Sequence, residues 1–152
     1  MLTLTIKDIC TALDTSKYRV RTWIKHPPFL HQGTQARIAN KYNATDLLMM
    51  ATLQTLEDTY GVNNDVLSKI MIPLYDYLSH LRIQGQTEEI TINLKDFSVS
   101  ALSYKVVEAP SIILNIKDEH HRIENFLFGN SPIQKSLPLS PVSIRKEATG
   151  NG

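Results

Sequence analysis

Residues 16–25, SKYRVRTWIK, decide the interpretation of the N-terminal half of this 152-residue chain. The stretch predicts a short basic helix that begins at a cap on Ser16. Residues 26–28, HPP, end it, because proline has no backbone N–H and restricts the residue before it. We expect Trp23 to pack between helices rather than to contact a ligand.

A second short helix is predicted immediately before it. Residues 4–13, LTIKDICTAL, place apolar side chains on one helical face. Thr5 caps its start, and Asp8 three residues later completes a capping box. Two short helices joined by a tight turn, the second of them basic, are typical of a helix-turn-helix. Residues 29–42 then predict a small hairpin, which in that position would be a wing.

The spacing of apolar residues predicts two longer helices next. One is expected over residues 46–60, behind a cap at Asn43, and Gly61 ends it. The next begins at one of the two asparagines at 63–64 and contains Pro73. An interior proline costs about 3 kcal/mol, so we expect a kink or a break there.

The periodicity changes after Gly85. Residues 90–95 alternate apolar and polar side chains and predict a strand, and residues 102–107 and 112–116 also look extended. Residues 119–128 fit either a strand or a short helix. The expected fold class is α+β. The expected divisions are a winged helix-turn-helix over 1–62, a helical linker and dimerisation segment over 63–85, a small unit with β content over 86–128, and a mobile tail over 129–152.

Charge is distributed unevenly along the chain. The formal net charge is only +1, yet residues 1–43 carry a net charge of +5 and residues 44–80 a net charge of −4. Positive charge gathered at one end indicates a polyanionic partner for that end. A solvated basic face that binds nothing is the alternative that charge alone leaves open.

Composition narrows the cellular setting and the possible chemistry. With the single cysteine Cys10, no disulfide or zinc cluster can form within the chain, and we expect Cys10 to act as a small buried hydrophobe. No stretch approaches the roughly 20 apolar residues of a membrane helix, and residues 1–10 do not resemble a signal peptide. We therefore expect a cytoplasmic protein that does not bind membranes.

Enzymatic motifs are not evident. The adjacent pair His120-His121 would point to opposite faces of a strand and does not make a metal clamp. The chain has no glycine-rich phosphate loop, no GxSxG and no HExxH. We expect no catalytic residue, no bound metal and no cofactor.

Two short segments resemble the MerR family of winged helix-turn-helix proteins. Residues 20–25, VRTWIK, are similar to that family's recognition helix, and residues 42–47, YNATDL, to its segment at the end of the wing. Gly61 and the aliphatic start at Val66 also fit its next helix, so the resemblance covers residues 3–80. Asn40 stands where the family usually carries an arginine.

The expected DNA-contacting residues lie on the exposed face of the second helix and in the wing. They are Ser16, Lys17, Tyr18, Arg19, Arg21, Thr22, Lys25, Gln32, Thr34, Gln35, Arg37, Lys41 and Tyr42. Arg19 or Arg21 is expected to contact a base, whereas the wing residues would bind the backbone or the minor groove. Tyr42 is left open between the edge of the core and a phosphate contact.

The predicted function is sequence-specific binding of double-stranded DNA by a homodimeric transcriptional regulator on an inverted repeat. Leu74, Tyr77, Leu78 and Leu81 could form the dimer interface, as could the strands after Gly85; alternatively the leucine stripe packs within one chain. The resemblance implies RNA polymerase as a further partner and distortion of promoter DNA as the mechanism. Two alternatives are an excisionase-like protein that bends DNA and a protein–protein adaptor that does not bind DNA.

Overall fold

The computed structural model describes residues 3–29, 41–80, 89–102 and 109–128. Within these ranges the chain is α+β, with five helices and one three-stranded antiparallel sheet. The helices are α1 (Ile6–Leu13), α2 (Lys17–Ile24), α3 (Ala44–Asp58), α4 (Asn64–Ser79) and α5 (Ile116–Phe128), and the strands are β1 (Glu89–Asn93), β2 (Val99–Ala101) and β3 (Ser111–Asn115). The predicted wing residues Gln32, Thr34, Gln35 and Arg37, most of the predicted strand at 102–107, Leu81 and the tail at 129–152 lie outside the described residues.

The predicted caps of the first two helices are confirmed. The Asp8 N–H donates to Thr5 Oγ1 at 3.3 Å and the Thr5 N–H donates to Asp8 Oδ2 at 2.8 Å, which closes the capping box. The hydrogen bond from the Thr5 backbone also holds the pKa of Asp8 below its usual value. Ser16 Oγ accepts from the Arg19 N–H at 3.2 Å at the start of α2, and α2 ends at Ile24, before the two prolines.

Helix α3 forms the centre of the core. Ten of its fifteen residues are buried, so this helix is covered on nearly all sides instead of on one stripe. Asn43 and Asp46 form the predicted capping box, and the buried Asp46 carboxylate also accepts from Tyr75 Oη at 2.8 Å. Burial and this hydrogen bond raise the pKa of Tyr75 to about 12. Gly61 follows the helix with a φ of 67°, a left-handed conformation that glycine adopts without strain.

Helix α4 corrects one expectation. It runs without a break from Asn64 to Ser79 and includes Pro73. Residues on both sides of the proline, among them Met71 and Leu74, are fully buried. Their burial offsets the roughly 3 kcal/mol that an interior proline costs, so of the expected kink or break the break does not occur.

The sheet has the order β2-β1-β3, with both neighbouring pairs antiparallel. Ile90 pairs with Leu114 and Ile92 with Ile112, and these four side chains face the core. The predicted strand is present as β1, but it ends at Asn93 instead of reaching residue 95, and Thr91 is buried together with Ile90 and Ile92, so the expected burial of one face only is not observed. The stretch left undecided at 119–128 is helical and belongs to α5, which begins directly after β3. No described helix has both the length and the apolar character needed to cross a bilayer.

The N-terminal and C-terminal halves share one hydrophobic core, in which α3 packs against α4 and α5. Leu74 and Leu78 of the predicted dimer stripe are 0% and 3% exposed within a single chain, and Tyr77 is half-buried. The structure therefore places these two leucines in the intrachain core, which was the alternative interpretation of the stripe. Cys10 is half-buried against the same core.

Arg122 of α5 is the main polar link between the two halves. It donates to Gln54 Oε1 at 2.6 Å and to the Ala51 carbonyl at 2.7 Å, both on α3, and to Glu119 Oε1 at 3.0 Å. Glu119 and Gln54 are 7% and 8% exposed, so each needs a hydrogen-bonding partner inside the protein.

We predict that Arg122→Met destabilises the fold by about 2 kcal/mol, because it leaves a buried carboxylate and two buried oxygens without this donor. Urea denaturation at pH 7 measures the effect. The control is Lys69→Met, which removes an exposed cation paired with Asp65 at 3.6 Å and should change stability by less than about 1 kcal/mol. Equal effects of the two substitutions would contradict this role for Arg122.

Candidate nucleic-acid interface

The outward face of α2 carries four of the predicted DNA-contacting residues. Lys17, Arg21 and Lys25 are exposed and follow one another at intervals of four, so they lie along one side of the helix. Tyr18 stands beside them with 78% of its surface exposed. The outward face of α2 therefore presents three positive charges and one exposed aromatic ring.

The inward face of α2 attaches the helix to the body of the protein. Val20 and Trp23 are 0% and 1% exposed and belong to the shared core. The expectation that Trp23 packs between helices is confirmed. The Trp23 indole N–H donates to Glu57 Oε1 of α3 at 2.8 Å, so its polar atom is also satisfied.

Arg19 lies between the two faces and is bound to α3. Its guanidinium donates to Glu57 Oε1 at 3.2 Å and to Asp58 Oδ1 at 2.6 Å, and it stands 5.4 Å from the centre of the Trp23 ring. The hydrogen bond from Arg19 holds the pKa of Asp58 below its usual value, and Asp58 in turn raises the pKa of Arg19. Of the two arginines expected to contact a base, Arg21 is exposed and Arg19 is engaged within the protein.

The remaining predicted contact residues within the described ranges have different surroundings. Ser16 Oγ caps α2, and Thr22 Oγ1 donates to the Arg19 carbonyl at 2.6 Å, so both hydroxyls bond to the helix backbone. Lys41 is exposed. Tyr42 is 2% exposed and exchanges two backbone hydrogen bonds with Leu4, at 2.7 and 2.8 Å. The core position, one of the two left open for Tyr42, is the one observed.

The turn between α1 and α2 is also fixed from α3. Gln54 Nε2 donates to the Leu13 carbonyl at 2.9 Å, where α1 ends. Asp14 follows in a left-handed conformation, with a φ of 50°, and the Thr15 N–H donates to the Cys10 carbonyl at 3.0 Å. Consequently α3 holds both the end of α1 and the body of α2.

Sequence reasoning missed the residues of α3 that hold these helices, namely Gln54, Glu57 and Asp58. A signal for the two acids was present. The excess of negative charge over residues 44–80 follows directly on the basic segment, and part of it neutralises Arg19. The partner of each charge depends on a contact 38 or 39 residues away along the chain, which no local pattern specifies.

The histidine pair lies on a helix instead of a strand. His120 Nδ1 and His121 Nδ1 are 3.9 and 3.2 Å from Glu124 Oε2, all within α5. In the part of the chain that the structure describes, no three histidine, cysteine or acidic side chains are grouped so that they could hold a metal ion.

Comparisons with protein-family models, with curated proteins and with solved structures yield no match to this chain. The geometry of α2 and its surroundings is therefore the basis on which a function can be inferred.

We predict a pH-dependent contribution from the Arg19 contacts. Because the pKa of Asp58 is lower in the folded chain than in the unfolded one, its stabilisation is present above about pH 4 and lost as the pH falls through the lowered value. Arg19→Met should therefore cost about 1 kcal/mol at pH 7, and this difference should shrink in acid. Urea denaturation from pH 7 to pH 2.5 measures it.

The control for this series is Arg21→Met, which removes the same kind of side chain from the exposed face of the same helix. Its small effect on stability should not vary with pH over that range. A stability difference for Arg19→Met that stays constant down to pH 2.5 would show that Asp58 does not stabilise the fold through Arg19.

Proposed function

We propose that the chain is a sequence-specific regulator that binds double-stranded DNA through a helix-turn-helix formed by α1 and α2. The second of these helices acts as the recognition helix and enters the major groove. The observation that carries the proposal is the exposed face of α2, where Lys17, Tyr18, Arg21 and Lys25 lie together.

The charges on this face are available to a ligand. Within the described ranges, no acidic side chain forms an ion pair with Lys17, Arg21 or Lys25, although Arg19 on the same helix binds two acids. Exposed cations aligned on one side of a helix match the phosphates that flank a groove. The inward face of α2 is buried, so the helix presents only this side to a partner.

Each side chain has a role suited to its chemistry. Arg21 lies in the middle of the row, and its guanidinium can donate two hydrogen bonds to the O6 and N7 atoms of guanine. Lys17 and Lys25 lie one turn before it and one turn after it, and they would bind phosphates. Tyr18 can donate its hydroxyl to a phosphate or place its ring against a base.

The finer classification as a winged, MerR-like module is part of the same proposal. The antiparallel pairing of Leu4 with Tyr42 supports it, because it returns the chain after α2 to the start of α1, as a wing requires. Gln32, Thr34, Gln35, Arg37 and Lys41 would then contact the DNA backbone or the minor groove. Distortion of promoter DNA and contact with RNA polymerase follow from the resemblance alone.

Regulators of this size gain specificity by binding as two-fold pairs, and we propose a homodimer on an inverted repeat. Because Leu74 and Leu78 are buried within one chain, the strand-containing C-terminal unit is the better candidate for the interface. Light scattering of the protein with and without its preferred duplex tests this. A monomer that stays monomeric on DNA would refute the dimer.

We predict that Arg21→Ala weakens binding to the preferred duplex by roughly 5- to 150-fold and relaxes the preference at one base pair. Selection from random duplexes followed by footprinting supplies that duplex. Lys17→Ala should instead weaken binding to all sequences alike. It should also reduce the slope of log affinity against log salt concentration by about one, the amount expected for one lost phosphate contact. Neither substitution removes a buried side chain, so the helical content should be unchanged.

The matched control is Lys69→Ala, which removes an exposed positive charge from α4, outside both α2 and the strands proposed for the dimer interface, and should leave affinity nearly unchanged. Equal affinity of the wild-type chain and Arg21→Ala for the selected duplex would refute the assignment of α2 as the recognition helix. Failure to enrich any duplex would refute DNA recognition and favour the protein–protein adaptor.

A further inference from the structure

One carboxylate oxygen collects three hydrogen bonds from α2. Glu57 Oε1 accepts from Trp23 Nε1 at 2.8 Å, from Arg19 Nη2 at 3.2 Å and from Arg19 Nε at 3.3 Å. The Glu57 side chain is only 21% exposed, so water screens these bonds less than it would screen a surface ion pair.

The two donors stand four residues apart, one turn from each other on α2. A single hydrogen bond leaves a helix free to roll about its axis, whereas two anchors one turn apart on the same side fix the roll. Trp23 supplies a rigid buried ring, and the Arg19 guanidinium lies over that ring and also binds Asp58. The contacts with Glu57 therefore add a directional constraint on the roll of α2 to the burial of its inward face.

Glu57 lies on a part of α3 that is well buried in the core. Glu57 lies in the last turn of α3, directly after the buried Leu56, and Gln54 one turn earlier holds the end of α1 through the Leu13 carbonyl. Glu57 therefore links α2 to α3, which has more buried residues than any other element in the described part of the chain.

We infer that Glu57 is a positioning residue for DNA recognition: it sets the roll of α2 so that Lys17, Arg21 and Lys25 face the groove, without touching DNA itself. This inference rests on the proposed function.

Whether removal of Glu57 raises or lowers the affinity for DNA distinguishes a positioning role from a simple electrostatic one. A negative charge beside a basic DNA-binding helix repels phosphates, so electrostatics alone predicts that removal of Glu57 raises affinity. Positioning predicts the opposite result. When the roll of α2 is no longer fixed, only a fraction of the molecules presents the binding face, and the apparent affinity falls by that fraction.

The test compares Glu57→Ala with Glu57→Gln on the selected duplex over a range of salt concentrations. We expect Glu57→Ala to lower affinity by about tenfold, the lower part of the range for a direct base contact. Glu57→Gln removes the same charge but keeps an oxygen that can accept from Trp23, so its loss should be clearly smaller. The salt dependence should stay that of the wild type for both, because the set of phosphate contacts is the same.

Asp76→Ala is the charge-matched control. It removes an acid with 76% of its side chain exposed on α4, where it neighbours His80, and it should not lower affinity. Circular dichroism at the assay temperature verifies that each variant is folded. If Glu57→Ala does not fold, Glu57→Gln is compared with the wild type instead. Electrostatics still predicts a higher affinity for this variant, whereas positioning predicts a lower one.

A second readout needs no DNA. Trp23 is the only tryptophan in the chain, so tryptophan fluorescence reports on the surroundings of this one ring, which include the Glu57 contact. Loss of the Glu57 bond should shift its emission to longer wavelength and increase quenching by acrylamide in Glu57→Ala, and less so in Glu57→Gln.

The outcomes are distinguishable. If the wild type binds DNA and Arg21→Ala does not, but Glu57→Ala binds as tightly as the wild type or more tightly, the positioning role is overturned and the proposed function stands. If the wild type binds no duplex, both are overturned. Unchanged Trp23 emission in Glu57→Ala would overturn the claim that this contact holds α2.

Discussion

The burial of α3 is the constraint on which the rest of the structure depends. A helix covered on nearly all sides needs neighbours in several directions, and α4 and α5 supply two of them. Helices α1 and α2 are too short to be stable alone and are held against the same core. The chain before α3 and the chain after it are therefore parts of one packing arrangement.

Buried apolar contacts hold the elements together, while polar contacts at the carboxyl end of α3 determine their orientation. Gln54 is the centre of one set, because it donates to the Leu13 carbonyl of α1 and accepts from Arg122 of α5. Glu57 is the centre of the other, with Arg19 and Trp23 of α2. Directional bonds of this kind are sensitive to geometry in a way that hydrophobic burial is not. A basic surface helix thus becomes one with a defined outward face.

Much of the local structure could be predicted because its causes are local. The capping pairs at Thr5 and Asn43 join residues three apart, and the left-handed residue at Gly61 needs only the absence of a side chain. Ile90 and Ile92 of β1 both face the core because every second residue of a strand points to the same side of the sheet. The exposed members of the candidate interface, such as Arg21, also followed from helical spacing.

Other features escaped prediction because they depend on partners far along the chain. The sequence by itself determined the four helices α1 to α4, the strands β1 and β3, the caps, and the concentration of positive charge on α2, whereas it left α5 undecided and did not indicate β2. Only the tertiary structure decided that Arg19 binds Glu57 and Asp58 while Arg21 stays exposed, that α4 continues through Pro73, and that Leu74 lies in the core. The physical reason is the same in each case. Periodicity and caps depend on residues a few positions apart, whereas side-chain pairing and burial depend on contacts between elements that only the fold brings together.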